Sequence, residues 1–402
     1  MNVSVIGNNC TGCHACEQTC PVKAISFSVY EGGFFYPIVS NTCIDCGACI
    51  RKCHSNSNCN FQPSIAGYAA YIKDNMLLQK SSSGGVFAVI AAEFIKMGGV
   101  VFGCTEDKPG IVHHIAIERL EDISLLQGSK YVESDLEGVY SKVESYLKCG
   151  KTVLFSGTPC QVAGVKTYLG NNSNLLFTLD LVCHGVPSRK IYQDYLSWES
   201  IRLKKQINKF DFRSKEKHGW SLTYRMELTD SKGRSVEEHM ATMSPYYYHF
   251  LQGFNYRESC YQCKYARRER CSDITLCDFW GINNVAPEMN NFYGVSGVLV
   301  NNENGEKLWK SVQSEIICKQ VDVMDIVNHN GQLRAPSNKP HERNEYYSLE
   351  SSHGFDYIAR KYTPGKQLLI DSIKDAIPNR VRQGIKKWLN SVRNPQAEPV
   401  VR

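Results

Sequence analysis

Apolar residues recur along most of the chain in two patterns, one with helical spacing and one in short continuous runs. The helical spacing predicts helices at 86–95 (closed by Gly98-Gly99), Glu137–Lys148, Pro159–Leu169 and Ser188 to about Lys205. The short runs predict strands at Val100–Gly103, Ile115–Ile117, Thr152–Phe155 and Leu175–Val182. Helices that alternate with short apolar strands are typical of βαβ units, so from about residue 64 we expect a largely parallel sheet within a mixed α/β (α+β) fold.

Two other parts of the chain alternate apolar and polar residues on either side of a turn, which predicts antiparallel hairpins. They join Ala24–Tyr30 to Phe34–Val39 and Ser221–Leu228 to Arg234–His239. The turns contain Glu31-Gly32-Gly33 and Asp230–Gly233. One hairpin therefore lies before the predicted α/β region and one within it.

The composition excludes several classes of protein. With 42% hydrophobic and 21% charged residues, the 402-residue chain has the makeup of a globular protein. It contains no apolar stretch of the roughly 18 residues that a membrane helix needs, and Met1–Gly7 lacks the basic start of a signal peptide. We therefore expect a cytoplasmic protein. In that reducing compartment, 18 cysteines indicate metal ligation or redox chemistry rather than disulfides.

The first eight cysteines form two runs with the same spacing. They are Cys10-x2-Cys13-x2-Cys16-x3-Cys20-Pro21 and Cys43-x2-Cys46-x2-Cys49-x3-Cys53, with His54 in place of the usual proline in the second run. This is the spacing of bacterial ferredoxins, in which the fourth cysteine of each run binds the other [4Fe–4S] cluster. We therefore expect one cluster on Cys10, Cys13, Cys16 and Cys53, and a second on Cys20, Cys43, Cys46 and Cys49. Zinc sites favour two CxxC pairs instead, and Cys59 is interpreted as a spare thiol.

Further cysteines follow the predicted strands of the sheet. Cys160 comes after Thr152–Phe155 and Cys183 after Leu175–Val182. The carboxyl ends of parallel strands meet at one sheet edge, where ligands bind. A third [4Fe–4S] cluster is therefore predicted on Cys160, Cys183, Cys260 and Cys263. The alternative is a zinc site on Cys260, Cys263, Cys271 and Cys277, with structural roles for Cys160 and Cys183.

Two short segments have the composition of an anion-binding site. Ser81-Ser82-Ser83-Gly84-Gly85 precedes the helix at Val86, and backbone N–H groups at a helix start bind phosphates. Serine is also an ordinary helix N-cap, and that alternative stays open. Gly128-Ser129-Lys130-Tyr131 offers a cation and an aromatic ring, or is a surface turn. No GxGxxG follows a strand and no Walker loop occurs, so a Rossmann-type site is not supported.

Five segments, taken in order, resemble the beta-subunit family of coenzyme F-420 (deazaflavin) hydrogenases and dehydrogenases. They are Ser81–Phe87 (SSSGGVF), Gly128–Val132 (GSKYV), Phe155–Val165 (FSGTPCQVAGV), Asp180–Ser188 (DLVCHGVPS) and Cys260–Gly281 (CYQCKYARRERCSDITLCDFWG). They span roughly residues 70–300, behind the ferredoxin-type runs. The sequence departs from the family at Cys277, where glycine is usual, so Cys277 or Cys271 is an alternative ligand of the third cluster.

The resemblance implies FAD beside a [4Fe–4S] cluster. It places the four cysteines of the predicted third cluster near that cluster, and it places near the FAD Ser82, Ser83, Gly84, Gly85, Lys130 and Tyr131. We accordingly expect three parts: a ferredoxin-type domain at 1–63, a flavin- and cluster-binding catalytic domain at 64–345, and a basic helical tail at 346–402.

Together these features predict an iron–sulfur flavoprotein oxidoreductase that passes electrons between ferredoxin-type clusters and FAD to reduce or oxidise a small substrate. The resemblance offers two candidate substrates, deazaflavin and, because some relatives accompany polysaccharide-synthesis genes, an intermediate of that synthesis, but it does not identify the substrate. The expected partner is a redox protein, either a ferredoxin or a catalytic subunit. The alternatives are an electron-transfer adaptor without its own substrate and a zinc-stabilised binding module. No side chain stands out as a catalytic acid or base; His184, beside Cys183, either tunes that thiol or is structural.

Most of the net charge of +6 lies at the end of the chain. Residues 374–402 hold seven Lys/Arg and two Asp/Glu, or 7 − 2 = +5, which leaves the rest near neutral and argues against a nucleic-acid partner. Residues 342–361 predict a helix after a loop at Pro336–Pro340. A basic amphipathic helix is predicted by Val381, Ile385, Trp388, Leu389 and Val392. It either makes a weak membrane-surface contact or docks on protein, and Gly384 favours docking because it weakens the helix.

Overall fold

The computed structural model describes residues 1–57, 59–170 and 174–377, so the amphipathic helix predicted after Pro378 lies outside the described residues. The architecture is mixed α/β, as the pattern predicts, with a two-stranded, a three-stranded and an eight-stranded sheet. The strands are β1 (Ile25–Val29), β2 (Phe35–Val39), β3 (Ala66–Ile72), β4 (Val100–Lys108), β5 (Ile111–Ile117), β6 (Val153–Gly157), β7 (Leu176–Leu181), β8 (Gln206–Asp211), β9 (Thr223–Asp230), β10 (Gly233–Met240), β11 (Ile274–Asp278), β12 (Ser296–Val300) and β13 (Ile316–Val321).

Helices cover both faces of the large sheet and build the small N-terminal domain. They are α1 (Ala15–Thr19), α2 (Ala48–Arg51), α3 (Asn75–Lys80), α4 (Val86–Lys96), α5 (Ile123–Leu126), α6 (Val139–Lys148), α7 (Pro159–Leu169), α8 (Arg189–Leu203), α9 (Pro245–Gln252), α10 (Ile282–Val285), α11 (Glu303–Val312), α12 (Val323–Asn328), α13 (Arg343–Tyr362) and α14 (Gly365–Ala376). Among the described residues, none of these helices has both the length and the apolar character needed to cross a membrane.

The eight-stranded sheet has the order β13-β3-β12-β11-β7-β6-β4-β5. Strands β4, β6, β7 and β11 are parallel to one another, and β3 runs with them because it pairs antiparallel with β12, which is antiparallel to β11. The central strands are apolar on both faces, which is the composition that a sheet covered by helices requires. The strand predicted at Ile115–Ile117 is the second half of β5, an antiparallel edge strand. The carboxyl ends of β3, β4, β6, β7 and β11 therefore open on one edge.

The predicted second hairpin forms between β9 and β10, and a third strand, β8, pairs with β9. The sequence analysis missed β8 because it extended the preceding helix to about Lys205. In the structure α8 ends at Leu203, and Lys204 adopts a left-handed conformation with φ 55°. Ile207 and Phe210 of β8 then point into an aromatic core shared with α8 and α9.

Of the last two described helices, α14 lies against β10 and residues 241–243, and α13 packs on this aromatic core. Tyr346, Tyr347 and Ile358 of α13 are buried within it, and the boundary predicted at residue 346 falls inside this helix. Helix α14 lies within the segment predicted as a helical tail and is anchored by Asp375. Its carboxylate accepts hydrogen bonds from Lys217 Nζ (2.8 Å) and the Met240 backbone N–H (3.2 Å). Packing of both helices thus extends to the end of the described chain.

The N-terminal domain docks directly on the large sheet and its helices. Its hairpin pairs β1 with β2 as predicted. Gln18 donates to Leu136 O (3.1 Å) and accepts from the Ser141 N–H (3.0 Å), while Lys52 Nζ donates to Tyr168 O (2.7 Å). These contacts involve helices α1, α6 and α7, so the first cysteine run is held against the same part of the fold that carries Cys160.

Candidate functional site

Each ferredoxin-type run wraps around a one-turn helix, so that its cysteines face inward from a tight loop. We call Cys20, Cys43, Cys46 and Cys49 the outer set; these four side chains line one small cavity. The backbone N–H of Ala24 donates to Cys20 Sγ (3.2 Å), and that of Asp45 donates to Cys43 Sγ (3.4 Å). Such N–H donors stabilise sulfur that carries negative charge. Cys46 is exposed, so the outer set reaches the molecular surface.

The inner set, Cys10, Cys13, Cys16 and Cys53, also combines both runs. Burial raises the pKa of Cys13 and of Cys16, and the charges of Cys10 and Cys53 raise both further. Burial likewise raises the pKa of Cys10, although the Arg257 guanidinium opposes this. Thiols that are this reluctant to ionise next to one another need a cationic centre to become thiolates together. The donor chemistry fits an iron–sulfur cluster in the crossed arrangement of ferredoxins.

Four other cysteines converge at the carboxyl edge of the large sheet. Strands β6 and β7 are parallel neighbours, so Cys160, in the first turn of α7, and Cys183, just after β7, share that edge. The loop that carries Cys260 and Cys263 closes over them. Burial raises the pKa of Cys160 to about 11 and that of Cys183 to about 12, and the Cys263 charge contributes to both shifts. We call Cys160, Cys183, Cys260 and Cys263 the thiol cage.

Four thiols from three segments are a donor set that fits an iron–sulfur cluster. Four sulfurs around one zinc ion, each at ~2.3 Å, stand only about 3.8 Å apart. Within the described part of the chain, no three Cys, His, Asp or Glu side chains are arranged to hold a single metal ion. In a [4Fe–4S] cluster each thiolate binds a different iron atom, so its sulfurs lie further apart. Burial also raises the pKa of Cys260 well above its usual value, and the charges of Cys183, Cys263 and Cys160 raise it further.

The remaining candidate cysteines lie outside the thiol cage. The Cys271 thiol donates to Pro159 O (3.8 Å), and the Cys277 thiol donates to Gly297 O (3.5 Å) across the β11–β12 pair. Cys59 Sγ lies 3.3 Å from Tyr265 Oη. Cys271 and Cys277 are thus hydrogen-bonded to backbone carbonyls, Cys271 packs in the same apolar cluster as Cys160 and Cys263, and the choice between the two ligand sets stays a prediction.

The two segments predicted to bind an anionic cofactor meet at the same sheet edge. The backbone N–H and the hydroxyl of Ser129 both donate to Ser82 Oγ, at 2.8 and 2.9 Å. Ser83 Oγ donates to Val295 O (3.0 Å). Lys130 turns away from this contact: its ammonium donates to Cys104 O (3.0 Å) and Gln127 O (2.8 Å), and burial lowers its pKa. Lys130 thus holds the turn together from inside.

Positions 84 and 85 of the serine–glycine segment require glycine for different structural reasons. Gly84 donates its N–H to Ser296 Oγ (2.9 Å), and a Cβ atom there would lie 2.2 Å from Ala70 O. Gly85 is the N-cap of α4 and has φ 79°, a conformation that favours glycine. Gly84 is therefore required by the packing of α4 on the sheet, whereas the sequence analysis related it to the approach of a phosphate group.

A buried polar network that the sequence analysis missed joins Tyr131 to the end of β11. Arg213 donates to Asp278 through both terminal nitrogens (2.7 and 3.3 Å) and to Tyr131 Oη (3.3 Å). Trp220 Nε1 donates to the same carboxylate (3.0 Å). Arg213 Nε is buried and has no hydrogen-bond partner among the described residues, so a bound polar group would satisfy it. The available signal was Asp278-Phe279-Trp280-Gly281, which ends the last segment of the family resemblance.

His184 lies near this network, because the charge of Asp278 acts on it. Burial lowers its pKa, while the charge of Asp278 acts in the opposite direction. Its ring lies 6.4 Å from that of Phe250, which in turn stacks on Tyr131 at 4.6 Å. His184, Tyr131 and the thiol cage therefore share one region.

Lys215 lies beneath the serine–glycine segment with only 2% of its surface exposed. Its ammonium donates to Ser83 O (2.6 Å) and Leu78 O (2.8 Å). Burial, helped by the nearby charge of Arg213, lowers the pKa of Lys215 to about 7. The charge under this segment therefore changes near neutral pH.

This shift predicts a pH dependence that Lys215→Met removes. A lysine titrates near ~10.4 in the unfolded chain, so between pH ~7 and ~10 the unfolded state binds more protons than the folded state. The free energy of unfolding of the wild type should therefore rise with pH relative to that of Lys215→Met, by up to about 1.4 kcal/mol per pH unit. Urea unfolding of both proteins at three pH values in this window measures the difference; a constant difference would contradict the assignment.

A wide surface cavity of about 460 Å³ lies apart from these residues, lined by parts of 107–109, 196–200 and 206–208. None of the predicted site residues contributes to it. The cavity therefore has no chemical connection to the thiol sets, and we assign no function to it.

Comparison with known families agrees with this geometry. The profile that describes the C-terminal part of the beta subunit of coenzyme F420 hydrogenases and dehydrogenases matches residues 150–325, and that of a 4Fe-4S dicluster domain matches residues 9–57. Residues 150–325 are therefore similar to the C-terminal part of that beta subunit, and the chain carries a 4Fe-4S dicluster domain at its front. The front of the chain is thus an iron–sulfur domain of the ferredoxin type.

Individual relatives match mainly the front of the chain. The ferredoxin-type protein NapF of Haemophilus influenzae is 34% identical over 58 residues, which are 14% of this chain and 33% of that protein. Ferredoxin-2 of Chlorobaculum tepidum is 43% identical over 54 residues, or 12% of this chain and 81% of that protein. The chain thus spans a third of NapF. Among solved structures, a chain of the F420-reducing [NiFe] hydrogenase complex from Methanosarcina barkeri aligns with 17% identity and a TM-score of 0.45, over 64% of this chain and 82% of that chain.

Proposed function

We propose that the chain is an iron–sulfur flavoprotein oxidoreductase with three [4Fe–4S] clusters and one FAD. The inner set, the outer set and the thiol cage would each hold one cluster. The observation that carries the proposal is the convergence of Cys160, Cys183, Cys260 and Cys263 from three separate segments at the carboxyl edge of the sheet. Parallel sheets bind their ligands at that edge.

The residues around the sets have distinct tasks in this proposal. The cysteines hold the iron, and the backbone N–H groups of Gly12, Ala24 and Asp45 donate to ligand sulfurs and so stabilise their negative charge. The segment around Ser82 and Ser129, with the unpartnered Arg213 Nε beyond it, would bind the FAD. FAD supplies two-electron hydride chemistry, which one-electron clusters lack.

The positions of the three sets support a route from the surface to the FAD. The outer set reaches the surface at Cys46. The inner set adjoins the thiol cage, because the charge of Cys160 acts on Cys13 and both thiols act on the buried Tyr140 between them. A protein partner, a ferredoxin or a catalytic subunit, would exchange electrons at the outer set, and a small substrate would react at the FAD. The family makes deazaflavin the first substrate to test.

A second candidate function is an electron-transfer adaptor that relays electrons to a catalytic partner. The exposed Cys46 of the outer set favours it, since a cluster at the surface can exchange electrons with a protein partner without any small substrate. Turnover of a small substrate by the isolated chain would distinguish the oxidoreductase from the adaptor. Both candidates share the cytoplasm as the proposed location, because clusters on this many thiolates form and persist in reducing surroundings.

Iron analysis of anaerobically reconstituted protein tests the proposal. The wild type should contain about 12 iron atoms and equal labile sulfide per chain, four for each cluster. Cys160→Ser should contain about eight, because one cage ligand is lost. Cys59→Ser is the matched control and should keep the wild-type content. One FAD per chain is expected in each protein. A wild type with only about eight iron atoms would contradict the proposal of a third cluster.

A further inference from the structure

We propose that the hydrogen bond between His54 and Tyr265 is the contact that couples the inner set to the thiol cage. Both side chains would be positioning residues for electron transfer between the two sets. This inference rests on the proposed function, since it requires a cluster in the thiol cage. His54 and Tyr265 are not themselves cluster ligands: they belong neither to the two ferredoxin-type cysteine runs nor to the thiol cage.

The hydrogen bond closes a short path between the two sets. His54 directly follows Cys53 of the inner set, and Tyr265 lies two residues after Cys263 of the thiol cage. His54 Nδ1 is 2.6 Å from Tyr265 Oη. Electrons that cross from one set to the other therefore meet a continuous chain of covalent bonds interrupted by a single hydrogen bond.

Both partners are held from several sides and are shielded from water. His54 is 1% exposed and Tyr265 is 4% exposed. His54 Nε2 lies 2.8 Å from Thr11 Oγ1, inside the loop of the first cysteine run. Lys264, the neighbour of Tyr265, donates its ammonium to the backbone carbonyls of His54 and of Ser57. Residues 263–265 are therefore hydrogen-bonded to the segment that follows Cys53.

The chemistry of His54 suits a fixed bridge. Both ring nitrogens of His54 have a hydroxyl partner, Thr11 Oγ1 at Nε2 and Tyr265 Oη at Nδ1. A neutral imidazole has one donor and one acceptor nitrogen, which matches its two hydroxyl partners, Thr11 and Tyr265. Proline, the usual residue at this position of the motif, has neither a donor nor a side-chain acceptor. The departure from the ferredoxin pattern thus supplies the atoms of the bridge.

Two substitutions at position 54 separate this bridge from general packing. The amide of asparagine can reach the position of Nδ1, and the longer glutamine can reach that of Nε2. His54→Asn should therefore keep the hydrogen bond to Tyr265, whereas His54→Gln should keep only the bond to Thr11. Tyr265→Phe removes the hydroxyl and keeps the ring. Tyr261→Phe is the control from the same loop, because its hydroxyl donates to Gly253 O (2.5 Å), away from the first domain.

The experiment uses the full-length, reconstituted protein. Reductant is mixed rapidly with it, and freeze-quench EPR follows the appearance of each reduced cluster and the magnetic interaction between clusters. Tyr265→Phe and His54→Gln should slow electron transfer between the inner set and the cage by about tenfold or more, since small displacements of positioned reactants have effects of that size. They should also weaken the magnetic interaction. His54→Asn and Tyr261→Phe should behave as the wild type.

The outcomes distinguish the two proposals. Wild-type rates and an unchanged magnetic interaction in Tyr265→Phe, at full iron content, would overturn the role of the bridge and leave the proposed function intact. A wild type with no third cluster signal would overturn both. Equal slowing in His54→Asn and His54→Gln would show that loss of histidine packing, rather than the Tyr265 hydrogen bond, is responsible, and would also overturn the inference.

Discussion

Arg257→Met is expected to lower the free energy of unfolding by about 3–5 kcal/mol, the usual effect of removing one partner from a buried ion pair. The Arg257 side chain is fully buried and pairs with the buried carboxylate of Glu133. It also donates to Phe35 O (2.9 Å) and Cys10 O (3.3 Å). Arg257 therefore joins the first domain to the segment that leads into Cys260 of the thiol cage. Methionine leaves Glu133 charged and unpaired in this position.

Anaerobic urea unfolding followed by intrinsic fluorescence measures this effect. The double variant Arg257→Met/Glu133→Gln should recover a large part of the loss, because no isolated charge remains buried. Arg268→Met is the exposed control and should change the free energy of unfolding by at most about 1 kcal/mol, since its ion pair with Glu269 lies at the surface. Equal destabilisation by the single and double variants would contradict the role of the charge.

Gly84→Val is expected to destabilise the protein by roughly 3 kcal/mol or more, the upper range for adding atoms to a packed interior. Its Cβ would lie 2.2 Å from Ala70 O and 2.7 Å from the Ser296 nitrogen, and both are backbone atoms of the sheet that cannot move alone. Thermal unfolding of the reconstituted protein measures the loss. Gly331→Ala is the control, because a Cβ there meets nothing within 4 Å.

This result would change how flavin loss is interpreted. FAD lost from Gly84→Val would report damage to the sheet, whereas Ser82→Ala removes only the acceptor of the two Ser129 hydrogen bonds. Lower FAD affinity in Ser82→Ala, at unchanged stability, would support the proposed cofactor segment. A Gly84→Val protein as stable as the wild type would show that the backbone near Ala70 yields more easily than its contacts indicate.

Local patterns determined much of this protein. The apolar spacing predicted helices α4, α6, α7 and α8 and strands β6 and β7 closely, and the first half of β4, because each element must bury its own apolar face. Cysteine spacing within a tight loop identified the dicluster domain, since three thiolates at intervals of three residues already face one another. Position after parallel strands also placed Cys160 and Cys183 at one edge, because consecutive parallel strands end on the same side.

Tertiary structure alone decided which distant groups meet. Strand β8 was missed because its short apolar pattern directly follows α8, and only pairing with β9 stabilises it there. Nothing in the local sequence pairs His54 with Tyr265, which is 211 residues away, or Arg257 with Glu133, at a separation of 124. The periodic pattern around a residue indicates whether the residue is buried. The partner of a buried polar group depends instead on how whole elements dock. The cysteine motifs could thus be recognised in the sequence. The contacts that join the first domain to the thiol cage could not be predicted, because they form only when whole elements dock in the folded chain.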